Sequence, residues 1–322
     1  MWYISVMSKS DRNNPKRSKA SESRYSLMEF EREFPDDAAC LDWLFRYRYP
    51  DGAFCPTCQR VTKHHREKAR PSYSCQFCGH RVHPMVGTIF EDSATSLKLW
   101  FYAMYLMAST RCGISAKQME RELGVTYKTA WRMANKIRSL LAQDGEQLSG
   151  TVEVDETFIG GKPRLGDVHN KQEGRMWAER KAKVLGAVER GGKVSATVIP
   201  SRLAETVMPI LKARVLPKST VYTDEWKSYR ALGREGYTHE RVNHSEKVYV
   251  SGDVHTNTIE GFWALLKGGI GGVYHSVSTK HLQSYLDEYA FRYNNRDANG
   301  REMFDAFLNR IEGASPVEGQ PS

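Results

Sequence analysis

Acidic side chains crowd the segment TVEVDETFIGG at 151–161, where Glu153, Asp155 and Glu156 interrupt a run with the composition of a buried strand. Read with a period of two, Val152, Val154 and Phe158 point to one face and Thr151, Glu153, Asp155 and Thr157 to the other. In a central strand covered on both sides these carboxylates repel one another and must be desolvated, which is costly unless a cation or a hydrogen-bond partner offsets it. Further along, TVYTDEW at 220–226 reads as a strand with Asp224 at its carboxyl end, and NTIEGFWALLKGGI at 257–270 reads as a helix. On that helix Ile259, Phe262, Trp263, Leu266 and Ile270 form the apolar stripe, while Asn257, Glu260, Ala264 and Lys267 share the opposite face. Two aspartates on neighbouring strands and a glutamate on a packed helix make an oxygen cage suited to two divalent cations. Magnesium takes hard oxygen ligands and keeps water and substrate phosphates in its remaining positions. Two such ions roughly 3.5–4 Å apart activate an attacking oxygen and stabilise the leaving one in phosphodiester chemistry. The bland alternative is three unrelated surface acids.

A second set of candidate ligands is made of sulfur. CPTC at 55–58 and CQFC at 75–78 give two C-x2-C knuckles separated by sixteen residues, so Cys55, Cys58, Cys75 and Cys78 can close a tetrahedral zinc site on a small β-ribbon. Four thiolates leave no open position for water, so the site is structural. An iron site of the same geometry, a redox pair, or replacement of one ligand by His64, His65 or His80 are the competing readings. Cys40 and Cys112 have no partner at useful spacing and read as ordinary buried residues.

The elements that must position these groups follow from patterning. Pro35, Asp36 and Asp37 can start a helix carrying Ala39, Cys40, Trp43 and Leu44 on one face, ended by the Pro50-Asp51-Gly52 turn. The cysteine segment runs to about 90, and a mostly helical stretch spans about 96–141. Within it, GISAKQMERELGVTYKTAWRMANKIRSLL (113–141) breaks at Gly124 and restarts behind a candidate N-cap at Thr126, the pattern of a helix-turn-helix. Trp131, Ala134, Ile137 and Leu141 would pack inward. Tyr127, Lys128, Arg132, Asn135 and Lys136 would then lie partly outward, with Tyr127, Lys128 and Arg132 as DNA-contacting candidates. Plain core packing of a helical hairpin is the alternative.

Beyond Gln143-Asp144-Gly145, which reads as a linker, strands and helices alternate. KVLGAVER (183–190) and KVSATVIP (193–200) join through Gly191-Gly192 into an antiparallel meander with the acidic strand, and ETVMPILKARV (205–215) is helical. Strand, hairpin, helix, strand is a mixed α/β order in which the first and fourth strands can lie side by side, bringing Asp155 and Asp224 together. The basic loop 162–183 could lie along DNA or be a solvated insertion. Tyr289, Arg292, Tyr293 and Arg296 sit at helical spacings and read as packing, with Arg292 paired to Glu288.

The resulting organisation is multidomain: a disordered basic tail at 1–28, a helix and zinc ribbon at 29–90, the helix-turn-helix region at 91–145, a mixed-sheet α/β domain at 146–309 and a disordered tail at 310–322. At 322 residues, 40% hydrophobic and 11% aromatic, the chain can bury cores in both larger units. A charge of +9, from 47 Lys+Arg against 38 Asp+Glu, favours a polyanionic partner, and DNA rather than membrane because no basic amphipathic helix stands out. The longest apolar run, LKLWFYAMYLM at 97–107, is too short to span a bilayer and carries Lys98. The N-terminus lacks a secretory pattern, so the expected setting is the cytoplasm, where paired cysteines suggest metal rather than disulfides.

VEVDETFIGGK, VYTDEWKSY and HTNTIEGFWALLKGGIGGVYHSVSTKHLQSYLDEYAFRYNNR resemble the DDE transposase domain of bacterial insertion sequences that carry a zinc-ribbon N-terminus. CPTCQ, CQFCGH and GTIFEDS resemble that family's ribbon and its exit, and the likeness covers about 35–305. The resemblance implies a ribonuclease H-like fold and two catalytic Mg2+ or Mn2+ ions. It also implies binding to terminal inverted repeats, strand cleavage and transfer of the freed 3′ hydroxyl to target DNA near the nucleoid. Carried over, Asp155 is the first catalytic acid, Asp224 the second and Glu260 the third, with Lys267 as the DNA-contacting base that follows it. Some relatives use Asn or His as third ligand, which makes Asn257 and His255 the rivals of Glu260. Pairing two element ends implies a homodimer or larger assembly on DNA. A catalytically inactive DNA-binding regulator, or a nuclease of the same fold without strand joining, are the rival functions.

Overall fold

The computed structural model describes residues 25–143, 145–160, 181–224, 229, 232–241 and 255–311. The N-terminal basic tail to 24, the basic loop from 161 to 180 and the C-terminal tail from 312 lie outside the described residues.

Five helices and a ribbon build the N-terminal half. Helix α1 (Leu27–Glu33) starts at a reciprocal capping box between Ser26 and Glu29 and buries Phe30. Residues 25–28, expected in the basic tail, belong to this fold: Tyr25 joins Phe30 and Phe34 in the core. Helix α2 (Asp37–Arg48) is capped by Asp36, whose carboxylate accepts the Ala39 N–H at 2.8 Å, and it buries Cys40, Leu41 and Leu44. Strands β1 (Ala53–Cys55) and β2 (Arg60–Thr62) form one hairpin. Strands β3 (His64–Arg66), β4 (Tyr73–Cys75) and β5 (Arg81–Val82) form a second small sheet. Tyr73 anchors the ribbon by stacking on Phe45 at 3.9 Å between centroids. Helix α3 (Leu97–Ser109) is apolar on most sides because it is the buried centre of this core. Helices α4 (Ala116–Leu123) and α5 (Tyr127–Ser139) follow, joined through Gly124 at φ 64°, a left-handed cap that glycine adopts without strain.

The second half is a five-stranded mixed sheet. Its strands are β6 (Thr151–Ile159), β7 (Ala182–Glu189), β8 (Val194–Ile199), β9 (Thr220–Thr223) and β10 (Thr238–Arg241), in the order β10-β9-β6-β7-β8. The expected meander is present, with β6 antiparallel to β7 and β7 to β8, and β9 runs parallel beside β6 with Thr151 opposite Thr220. Period-two alternation explains the layering. Val152, Val154, Leu185 and Ala187 face helix α6 (Ala204–Arg214) through Val207 and Leu211. Val184, Val188 and Ala196 face helices α7 (Asn257–Gly269) and α8 (Thr279–Asn294). Phe158 continues the first face but lies beyond the cover of α6, so it is exposed with the Arg202 guanidinium 4.9 Å from its ring centroid.

The two halves interlock. Helix α9 (Gly300–Leu308) returns to the N-terminal core, where Phe304, Phe307 and Leu308 are fully buried beside α1 and α3. Between α5 and α8, Arg138 Nε donates to Glu288 at 2.7 Å and Arg292 Nη2 donates to the same carboxylate at 2.7 Å. Complete burial would raise the Glu288 carboxyl, but the guanidiniums of Arg138 and Arg292 outweigh it and hold the group below its usual range. The Arg292–Glu288 pairing read from spacing is therefore present, and a second arginine joins it. Gln143, expected in a bare linker, donates to Ala196 O and Asp287 and accepts from Ser195, which fastens the connection to the edge of β8. No helix among the described residues is long and apolar enough to cross a membrane.

Candidate active site and metal centre

Asp155 lies on the β6 face covered by α7, whereas its neighbour Glu156 points to the α6 face, as alternation dictates. Continuing the β6–β9 register beyond Glu153 and Tyr222 brings Asp224, one residue past the end of β9, opposite Asp155. Because β9 stops there, acids from both faces of β6 meet around its end. Asp155, Glu156 and Asp224 each offer a carboxylate oxygen, and these lie within 4.8 Å of one another. In the sequence Glu156 stands out only as part of the acidic run. The signal that places it here is the end of the neighbouring strand, which alternation alone does not reveal.

Helix α7 brings the remaining candidates. Ile259, Phe262, Trp263 and Leu266 are buried, while Asn257, Glu260, Ala264 and Lys267 are exposed along one face. The helix meets Asp155 directly, since Trp263 Nε1 donates to Asp155 Oδ2 at 3.0 Å. This approach requires Gly186, the cross-strand partner of Asp155: a Cβ there would come within 2.5 Å of the indole. Glu260 is exposed in the first turn of α7, accepts from Thr256 Oγ1 at 3.4 Å, and is near enough to Asp155 for their charges to interact. It lies outside the close three-acid group. His255 is turned elsewhere, with Nδ1 2.9 Å from Arg190 Nη2.

Electrostatics describe a site under charge repulsion. Burial raises the Asp155 carboxyl above its usual range; the Trp263 indole and the Glu156 backbone N–H work against this, and Asp224 and Glu260 add to it. Burial pushes Glu156 up to about 7, with Asp224 and Asp155 contributing and Tyr229 and Arg202 opposing. Among the described residues, Glu156 Oε1 is buried without a hydrogen-bond partner. A hard divalent cation fits this donor set, because it would satisfy that oxygen and offset the repulsion. The pH dependence follows. With a folded pKa near 7 against an ordinary 4.5, Glu156 takes up a proton on folding between those values. Metal-free stability contributed by this group therefore falls as pH rises through that window. The rise in Tm produced by Mn2+ should be larger at pH 8 than at pH 5.5, and Glu156→Gln should flatten the difference in thermal melts.

The sulfur site is compact. The four Sγ atoms of Cys55, Cys58, Cys75 and Cys78 lie within 4.8 Å of one another, with Cys55 to Cys78 at 3.4 Å and Cys58 to Cys75 at 3.9 Å. A tetrahedral site with Zn–S of about 2.3 Å has edges of roughly 3.8 Å. The four thiols fit structural zinc, and His64 is not in the group: its Nδ1 lies 2.9 Å from Thr62 O. Thr62 Oγ1 approaches Cys75 Sγ at 3.2 Å, and that contact is the main reason the Cys75 thiol is lowered to about 5. Cys40 is buried, as expected, whereas Cys112 is exposed, because it falls in the turn between α3 and α4 rather than on a helix face.

On α5 the Thr126 cap is formed, its hydroxyl accepting from Thr129 N–H at 3.3 Å. Tyr127 and Lys128 are exposed, while Arg132, Asn135 and Lys136 are half-buried. Ala134, Ile137 and Leu141 are core residues, but Trp131 is only half-buried, packing edge-on against His281 of α8. Arg138 takes a buried position instead, because Glu288 awaits it across the interface.

Residues 147–294 match the ISXO2-like transposase domain and residues 35–81 match the transposase zinc-ribbon domain. The chain is 30% identical over 288 residues to an uncharacterized protein in transposable element ISH50 of Halobacterium salinarum, covering 85% of this chain and 97% of the relative. It is 32% identical over 105 residues to an uncharacterized transposase-like protein of Haemophilus influenzae, covering 33% of this chain and 84% of the relative.

Proposed function

The chain belongs to the insertion-sequence transposases that join a zinc ribbon to an ISXO2-like transposase domain, and from that premise we propose that it cleaves the ends of its element and transfers the 3′ hydroxyl to target DNA. The single observation that carries this reading is the meeting of Asp155, Glu156 and Asp224 at the end of β9, beside the helix that carries Glu260. Strand order β10-β9-β6-β7-β8, with the first three sequential strands antiparallel and the next two parallel, supports a ribonuclease H-like domain.

In this reading Asp155 and Asp224 would hold divalent ions, Mg2+ or Mn2+, and Glu260 would complete the set from α7. When bound, two such ions activate the attacking oxygen and stabilise the leaving one. Trp263 fixes one oxygen of Asp155 by donating to it, leaving the other free to serve as a ligand. Asn257 and Glu260 are both exposed on the face of α7 that carries Lys267, and Glu260 is the better ligand because it brings charge. Lys267, two turns on, offers a cation to a phosphate of the same strand. Tyr127, Lys128 and Arg132 on α5 bind the terminal inverted repeats, and a homodimer or larger assembly pairs the two ends.

Nicking of supercoiled plasmid carrying the DNA that flanks the gene tests the chemistry. Wild type should nick only with Mg2+ or Mn2+. Metal-independent binding without nicking under every condition would favour a DNA-binding regulator. Lys128→Ala with Arg132→Ala should weaken DNA binding about tenfold and reduce the slope of log affinity against log salt by roughly two, one for each phosphate no longer neutralised. Fluorescence anisotropy across a salt series reads both, and an unchanged slope would remove α5 from the DNA interface.

A further inference from the structure

Helix α7 gets little help from its own sequence: Thr256 is the N-cap, yet its side chain makes no capping bond, and the nearby His255 Nδ1 accepts Asn257 N–H only at 3.4 Å. The first-turn N–H groups must find another acceptor. They find Glu153, two residues before Asp155 on the same face of β6. Glu153 Oε2 accepts from Thr258 N–H at 2.8 Å and Ile259 N–H at 3.1 Å, and Oε1 accepts from Thr258 Oγ1 at 2.9 Å. The carboxylate is fully buried. Its counter-ion is Arg190, just past the end of β7, whose Nε donates to Oε1 at 2.7 Å. Arg190 also donates through Nη2 to His255 O at 2.9 Å and stacks on Tyr222 of β9 at 4.7 Å.

This one ion pair therefore touches every element that carries a proposed catalytic acid: β6 with Asp155, β9 leading to Asp224, and α7 with Glu260. We infer that Glu153 and Arg190 form a positioning pair for the reaction, a cap supplied from a distant strand that sets Glu260 and Asp224 relative to Asp155. The inference rests on the function proposed above. Neither residue touches substrate; they act through the backbone of α7 and the ring of Tyr222. A carboxylate is required because one side chain must accept from two backbone N–H groups, a hydroxyl and a guanidinium, which an amide of the same shape cannot do. Arginine is required because lysine cannot lay a planar cation on Tyr222 while donating to the carboxylate through one nitrogen and to His255 O through another.

The test is Mn2+ binding to the full-length protein by electron paramagnetic resonance, beside the Mn2+ dependence of plasmid nicking. Glu153→Gln and Arg190→Lys should each weaken Mn2+ binding roughly 10- to 100-fold, the range for outer partners of metal ligands. Nicking should shift to higher Mn2+ with much of the maximal rate restored at saturation, while DNA affinity stays at the wild-type value. A role confined to stability would lower Tm and leave the Mn2+ requirement unmoved, and that result would overturn the inference. Should Glu153→Gln fail to fold, Thr258→Val, which deletes only the hydroxyl donor, decides: a several-fold loss of Mn2+ affinity supports the pair and none overturns it. Asp155→Asn run alongside separates the two levels. If wild type binds no Mn2+ more tightly than Asp155→Asn, the functional reading itself fails; if that difference is present and the Glu153 and Arg190 variants match wild type, only the positioning role fails.

Discussion

Asp155→Asn should lower metal-dependent DNA cleavage by roughly a thousandfold or more, about 4 kcal/mol of barrier, while the protein remains folded. The substitution keeps the shape of the side chain and an oxygen that can accept from Trp263 Nε1, so α7 stays docked on β6. What disappears is one negative charge from a group whose oxygens lie within 4.8 Å of one another. In the absence of metal that loss relieves repulsion, since Asp224 pushes both the Asp155 and the Glu156 carboxyls up and Asp155 adds to the push on Glu156. Metal-free Tm should therefore hold or rise, while the Mn2+-induced increase shrinks. A variant that lost activity and melted earlier without metal would mean that Asp155 serves the fold. Opposed signs for stability and activity mark a site maintained for chemistry at the expense of stability.

The second large effect belongs to the ribbon. Cys75→Ser, or removal of zinc by a chelator, should unfold residues 53–82 and reduce bound zinc from about one per chain to none. Strands β1 to β5 are two or three residues long. Strands so short, in sheets of two and three, are not stable unsupported. Their buried surface is small, and the main apolar attachment to the helical core is Tyr73 against Phe45. Structural zinc contributes about 10–16 kcal/mol in comparable peptides, so the metal rather than packing decides whether the ribbon exists. Hydrogen exchange should show protection lost across 53–82 and retained in β6 and β7, whose core shares no residue with the ribbon. Unchanged protection of the ribbon in a protein shown by metal analysis to hold neither zinc nor iron would contradict this assignment.

The parts of this architecture that are local in sequence could be read from it. The C-x2-C pairs, the Gly124 break with its Thr126 cap, and the apolar stripe of α7 each depend on spacing within one element. The adjacency of β6 and β9 could also be read, because a hairpin followed by a helix leaves few places for the next strand. What could not be read depends on distant partners. Arg138 looks like a surface residue until Glu288, 150 positions away, supplies its counter-charge. Helix α9 follows α8 in sequence but packs against α1 and α3, a choice made by tertiary shape rather than by its own periodicity. Glu156 sits on the face opposite Asp155, and only the early end of β9 lets both approach Asp224. Glu153 shares a face with Asp155 in sequence and in space, yet its acceptor role depends on the start of α7, which lies 105 residues on.

Strand joining decides whether this chain is a transposase in its chemistry as well as in its family. A labelled duplex ending in the DNA that flanks the gene, with a free 3′ hydroxyl, would be incubated with the protein, Mn2+ and supercoiled target plasmid. Labelled plasmid is expected, the oligonucleotide covalently joined through that hydroxyl, formed by wild type and absent with Asp155→Asn or when the 3′ end is blocked. Nicked plasmid with no joined product, at every flanking sequence and with either metal, would contradict strand transfer and leave a nuclease.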